Sequence, residues 1–133
     1  MKYLLDTDTL IDVLQNTGQA RERVTALIEA GDEVALCAIS VAELYSGLSG
    51  TRRKRWDEWL SSLPYWDISR TAAMQAGIDR KTASEAGRTL PVSDCLLAAV
   101  AREQQATVLT SNIKDYPMKD VRVMSLREKQ DVA

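Results

Sequence analysis

Short apolar runs alternate along the chain with stretches in which apolar residues recur every three or four positions, the pattern of strands alternating with helices. Residues 2–5 are mostly apolar and are followed by Asp6-Thr7-Asp8, which predicts a buried strand ending in a capped turn. Leu10, Ile11, Val13 and Leu14 repeat at helical spacing up to Asn16-Thr17-Gly18, and residues 20–30 predict a second helix closed by Gly31. Residues 34–39 predict the next strand; Ser40 is then placed to cap a helix through Leu48, where Gly47 and Gly50 bring the chain to a loop. The basic stretch 52–55 leads into Trp56, Trp59, Leu60 and Leu63, an amphipathic helix ended by Pro64. Residues 65–68 predict a short strand, and Ser69 the cap of a long Ala-rich helix running towards Gly87. Pro91-Val92-Ser93-Asp94 opens a helix with Leu96, Leu97, Val100 and Ala101 on its apolar side, and residues 107–110 and 121–126 predict the last two strands. No repeat or linker interrupts this alternation, so the expectation is one domain over 1–133, an α/β layer sandwich with a mainly parallel sheet.

A chain of 133 residues with 45% hydrophobic content can bury a core without staples. Lys plus Arg is 17 against 19 for Asp plus Glu, so there is no global positive field to attract a polyanion; a local basic patch or bound cations must do so. Cys37 and Cys95 stand in no paired metal-binding motif and read as reduced, buried thiols. The amino-terminal apolar run meets Asp6 long before it reaches signal-peptide or membrane-spanning length, so a soluble cytoplasmic protein without membrane contact is expected. Zero histidines excludes Ser-His triads, His-paired nucleases and His-ligated zinc. Hydrolytic chemistry must then come from carboxylates, metals, lysines or hydroxyls.

The carboxylates are the residues placed most suggestively. In a parallel α/β sheet, the helix after a strand starts near that strand's carboxyl edge, and the helix before a strand starts on the same edge. Asp6 ends the first strand, Glu43 follows the second, Asp94 opens the helix leading to 107–110, and Asn112 and Asp115 follow that strand. All five fall on one edge. Like charges there repel by about 4 kcal/mol per pair at 4 Å with an effective dielectric near 20, a cost that a divalent cation relieves. Oxygen-only donors select a hard ion, Mg²⁺ or Mn²⁺, and such an ion favours in-line attack of water on a phosphodiester by offsetting the charge that builds up at phosphorus and on the leaving oxygen.

Each residue also has a plain structural role open to it. Ser40-Val41-Ala42-Glu43 fits a capping box; Asp94 fits a first-turn acid favoured by the helix dipole; Asp6 and Asp8 fit turn caps, Asp8 more so; Asp115 before Tyr116-Pro117 fits a turn former. Independent capping choices do not account for a shared edge.

At these residues the sequence resembles the PIN-domain family, and in particular the VapC toxins of bacterial toxin–antitoxin pairs. The resemblance is carried, in order, by Tyr3-Leu4-Leu5-Asp6-Thr7-Asp8, by Ile39-Ser40-Val41-Ala42-Glu43-Leu44, by Val92-Ser93-Asp94-Cys95-Leu96-Leu97-Ala98-Ala99, and by Leu109-Thr110-Ser111-Asn112-Ile113-Lys114-Asp115-Tyr116. It implies a three-layer sandwich with strand order 3-2-1-4-5 and Mg²⁺-dependent endoribonuclease activity, with Mn²⁺ able to substitute. It also implies an RNA substrate such as tRNA or another structured RNA, a homodimer, and neutralisation by a cognate VapB-like antitoxin. Carried over by position, Asp6, Glu43 and Asp94 are the metal-site acids; either Asn112 or Asp115 completes the catalytic set, and Thr110 or Ser111 assists by hydrogen bonding. Two positions depart from the common pattern: Asp8 stands where Asn is common, and Asn112 where some members have Asp.

Arg52, Arg53, Lys54 and Arg55 could grip an RNA backbone or an acidic partner segment, or simply form a solvated helix end. Trp56 and Trp59 could stack on bases, or pack in the core or a dimer interface. Two rival functions share the same residues. Asp6-Thr7-Asp8 after a first strand also resembles the nucleophile motif of haloacid-dehalogenase-like phosphatases, with Asp6 attacking phosphorus, although the later acidic-pair motif is missing. The other rival is a catalytically idle PIN-like module that only holds RNA or a partner.

Overall fold

The computed structural model describes residues 1–126, among which run five strands and six α-helices. Strand β1 spans Lys2–Leu5, β2 Glu33–Cys37, β3 Tyr65–Trp66, β4 Thr107–Leu109 and β5 Arg122–Met124. Helices α1 (Thr7–Gln15) and α2 (Ala20–Glu29) join β1 to β2; α3 (Ala38–Ser46) and α4 (Gly50–Ser62) join β2 to β3; α5 (Arg70–Glu85) and α6 (Val92–Gln104) join β3 to β4. The sheet order is β3-β2-β1-β4-β5, as the resemblance implies, and every pairing is parallel.

A parallel sheet covered on both faces buries both sets of alternating side chains. Tyr3 and Leu5 of β1 and Val34 and Leu36 of β2 face one core, with Leu10, Val13, Val24, Leu27, Leu44 and Leu60 from α1–α4. Leu4, Ala35 and Cys37 face the opposite core, with Leu97, Val100 and Ala101 of α6. Beyond it, Ala72 and Ala76 of α5 meet Cys95 and Ala99 of α6, small residues that allow the two helices to approach closely. Both cysteines are free and buried, and burial pushes both thiols up, away from reactivity.

Several boundaries differ from the sequence reading. The second strand ends at Cys37, not at residue 39, because α3 already starts at Ala38 and its cap position, Cys37, makes no side-chain cap bond. Ser40 therefore lies inside α3, its hydroxyl donating to the Cys37 carbonyl at 3.2 Å, and α3 ends at Ser46, short of Leu48. The basic run is not a lead-in: Ser49 caps α4, which contains residues 52–55 in its first turns. The strand expected over 65–68 pairs only at Tyr65–Trp66, that over 107–110 closes at Leu109, and that over 121–126 is Arg122–Met124. The second helix ends at Glu29, with Ala30 as its cap and Gly31 beyond it at φ +92°.

Ser69 does cap α5, accepting the Ala72 amide proton at 2.9 Å, while its hydroxyl donates to Glu103 on α6. Ser69→Ala should lower stability by about 1 kcal/mol, read as a shift in the urea midpoint at constant slope. An unmoved midpoint would show that the cap contributes nothing. Among the described residues, no helix is long and apolar enough to cross a membrane.

Candidate active site

The sheet order fixes where a ligand can enter. From β1 the chain builds outward to β2 and β3, then crosses back to place β4 and β5 on the other side. Strands β1 and β4 are thus neighbours whose connections leave in opposite directions, and the crevice beyond their carboxyl ends is the topological switch point of an open parallel sheet. Leu5 is level with Leu109, and the chain continues into Asp6 on one strand and Thr110 on the other. The Asp6 amide donates to the Leu109 carbonyl at 3.1 Å, so Asp6 is fastened to both strands.

Asp6 is the cap of α1: its Oδ1 accepts the Thr9 amide proton at 2.9 Å. Of the two acids expected to be able to cap this turn, Asp6 does so; Asp8, for which the sequence favours capping, is an exposed first-turn residue of α1. The Asp6 carboxylate is also buried, 5% exposed, with the Tyr116 hydroxyl donating to its Oδ2 at 3.4 Å and the Thr110 side chain bonded to it. Burial raises its pKa against the pull of the Thr110 and Thr9 bonds, and the Asp8 charge adds to the rise.

Asp94 lies in the first turn of α6, a position where the helix dipole alone would lower a carboxylate's pKa. It is instead raised from 3.8 to about 6, first by burial and then by Asp115, Asp6, Glu43 and Asp8. Four acids from three separate segments act on one carboxylate, and Asp6, Glu43 and Asp115 among them are the convergence expected from the topology. Among the described residues, none of these five acids is in an ion pair.

Glu43 makes no capping box, since Ser40 is not a cap; its exposed carboxylate accepts the Thr7 hydroxyl of α1. Asp115 ends a 3-10 turn, Ile113–Asp115, and its Oδ1 accepts the Asn112 side-chain amide at 3.1 Å. Asp115 heads the charges acting on Asp94, whereas Asn112 is exposed and bound to Asp115. Thr110 is fully buried and accepts the Asn112 backbone amide proton at 3.0 Å. Among the described residues, no three Asp, Glu, Cys or His side chains are drawn close enough to ring an ion. The acids nevertheless share the crevice closely enough for four of them to act on Asp94, and Glu43 accepts the Thr7 hydroxyl. The donor set is all oxygen and carries excess negative charge, which suits a hard dication and no softer metal.

Two contacts escape a reading of the sequence: Thr7 on Glu43, and Tyr116 on Asp6. The available signal for the last was an aromatic residue directly after Asp115 that could be buried and still carries a hydroxyl. The tryptophans pack. Trp56 and Trp59 meet edge to face at 6.0 Å against the α1–α4 core, and the Trp56 ring has Arg21 at 5.0 Å and Arg55 at 5.8 Å. Arg52, Arg53, Lys54 and Arg55 are all exposed, and Arg52 lines an apolar groove that reaches Glu43.

Comparison with known proteins places this arrangement. The family profile described as PIN domain matches residues 3–121. Ribonuclease VapC2 of Rickettsia felis is 27% identical over 121 residues, which cover 87% of this chain and 90% of the relative. Ribonuclease VapC2 of Haemophilus influenzae is 25% identical over 132 residues, 96% of each. Among solved structures, a chain of VapBC2 from Rickettsia felis, bound to a DNA fragment from its promoter, superposes with a TM-score of 0.83 at 23% identity. It matches over 94% of this chain and 98% of that one.

Proposed function

The chain belongs to the PIN-domain family, and on that premise we propose that it is a metal-dependent endoribonuclease and the toxin of a type II toxin–antitoxin pair. The observation that carries the reading is the set of acids acting on Asp94 without a compensating basic residue, at the switch point of the sheet. Relatives named as ribonucleases over nearly the whole chain supply the reaction class. The profile match over 3–121 favours this reading over the phosphatase alternative.

Asp6, Asp94 and Glu43 are the residues to hold Mg²⁺ or Mn²⁺, and Asp115 is the fourth acid of the set. A bound ion supplies Lewis acidity to the scissile phosphate and offsets the charge of the transition state. The protein's own groups prepare the site. Thr9, Thr110 and Tyr116 fix the Asp6 carboxylate, Thr7 restrains Glu43, and Asn112 orients Asp115. Holding these side chains in place before RNA arrives removes reorganisation from the reaction step. The exposed cations of α4 offer phosphate contacts that the net charge of −2 does not.

A VapB-like antitoxin is the partner in this reading, because the solved relatives include VapBC complexes. We assign it the apolar groove of Ile11, Leu14, Leu44 and Leu48, with Glu43 and Arg52 at its rim, where a bound segment would cover one of the acids. A homodimer belongs to the same reading; Met74 and Ile78, exposed one turn apart on α5, are the apolar surface it would cover.

The test is incubation of the purified protein with a panel of labelled RNAs, tRNA included, in Mg²⁺ or Mn²⁺ with and without EDTA. Internal cleavage that EDTA stops is the expected result. RNA binding with no cleavage in either metal would leave the idle binding module in its place, and cleavage indifferent to EDTA would remove the metal.

A further inference from the structure

We propose that Tyr116 is a positioning residue of the active site, whose hydroxyl fixes the carboxylate of Asp6. Its ring is part of the core built with Leu4, Cys37, Leu97 and Val108, and only 5% of the residue is exposed. That packing needs a ring and has no use for a hydroxyl. A phenol buried without a hydrogen-bond partner is costly, and the partner here is Asp6 Oδ2, at 3.4 Å across 110 positions of sequence. The other oxygen, Oδ1, is held by the Thr9 amide at 2.9 Å. Both oxygens are therefore tied to the protein, from opposite ends of the chain. At 3.4 Å the contact is longer than an ordinary O–H···O bond, as catalytic contacts often are before ligands draw a site together.

This inference rests on the metal-dependent reading above. Hydrogen bonds to a ligating carboxylate set its direction, and their loss typically costs about 10- to 100-fold in metal affinity or activity. Tyr116→Phe keeps the ring and removes the bond. Mn²⁺ affinity, measured by titration calorimetry on the full chain, should fall about tenfold. In the cleavage assay kcat should fall with little change in KM for RNA, because Tyr116 acts on the metal site and not on the RNA path. Met118→Leu, a change in partly buried packing beside the same core, should leave Mn²⁺ affinity where it was.

The outcomes separate. If the wild-type protein binds no Mn²⁺, the metal reading fails and this inference with it. If the wild type binds and Tyr116→Phe binds equally well, only the positioning role fails. If Met118→Leu weakens binding as much as Tyr116→Phe, the effect is general packing and the hydroxyl has no special part.

Discussion

Asp94→Asn should reduce metal-dependent RNA cleavage at least about a hundredfold while the protein stays folded. The substitution keeps the shape of the side chain and removes one negative charge from the place where the acids converge. Electrostatic stabilisation by a bound dication is worth several kcal/mol, and each 1.36 kcal/mol lost is tenfold in rate, so losing a ligand reaches about a hundredfold readily. Asp94 is the residue to test because Asp115, Asp6, Glu43 and Asp8 all act on it. Fold retention is expected for the same reason: Asn relieves repulsion instead of breaking an ion pair, since Asp94 has none among the described residues. The measurement is the single-turnover rate in saturating Mn²⁺ beside a far-UV circular dichroism melt. A variant that cleaves within threefold of wild type would remove Asp94 from the mechanism.

The second large effect is on stability against pH in the metal-free protein. The Asp94 carboxyl is raised from 3.8 to about 6, so between those values the folded chain keeps a proton that the unfolded chain has lost. More protons bound in the folded state means that stability falls as pH rises through this window and stays low above it. The full shift corresponds to about 3 kcal/mol, which the partly exposed position of Asp94 reduces to about 1 kcal/mol. Asp94→Asn removes this contribution. Its melting temperature should exceed that of the wild type at pH 7.5, with the gap closing towards pH 4. Saturating Mn²⁺ should then raise the wild type and leave the variant nearly unmoved, because a ligand that binds only the folded state stabilises by mass action. A gap of constant size from pH 4 to 7.5 would mean that Asp94 carries no perturbed proton.

How far the sequence speaks depends on whether a feature has a local cause. Strand β1 appears where its apolar run ends in Asp6, and α5 starts where Ser69 offers a hydroxyl. The shared edge of the acids follows from alternation plus the geometry of parallel sheets, and so needs no contact to be seen. Helix α3 starts three residues earlier than Ser40 as a cap would place it, because its cap position, Cys37, adopts extended backbone without any side-chain signal. The basic run lay inside α4 because Ser49, three residues before Arg52, is the cap. The hydrogen bonds of Thr7 and Tyr116 were out of reach for a different reason. Each joins residues far apart in sequence, 36 and 110 positions, and nothing in the intervening chain announces the meeting.

That separation governs when the protein acquires its chemistry. Strand β1 pairs with β4, Leu5 opposite Leu109, and on that seam Asp6 is fastened to the Leu109 carbonyl and reached by Thr110 and Tyr116. A nascent chain halted before β4 has Asp6, Glu43 and Asp94 but lacks Thr110 and Tyr116, which hold Asp6, and Asp115, which heads the charges acting on Asp94. The acids and their hydrogen-bond partners are therefore complete at this crevice only once residues 107–116 have been made and have docked against β1.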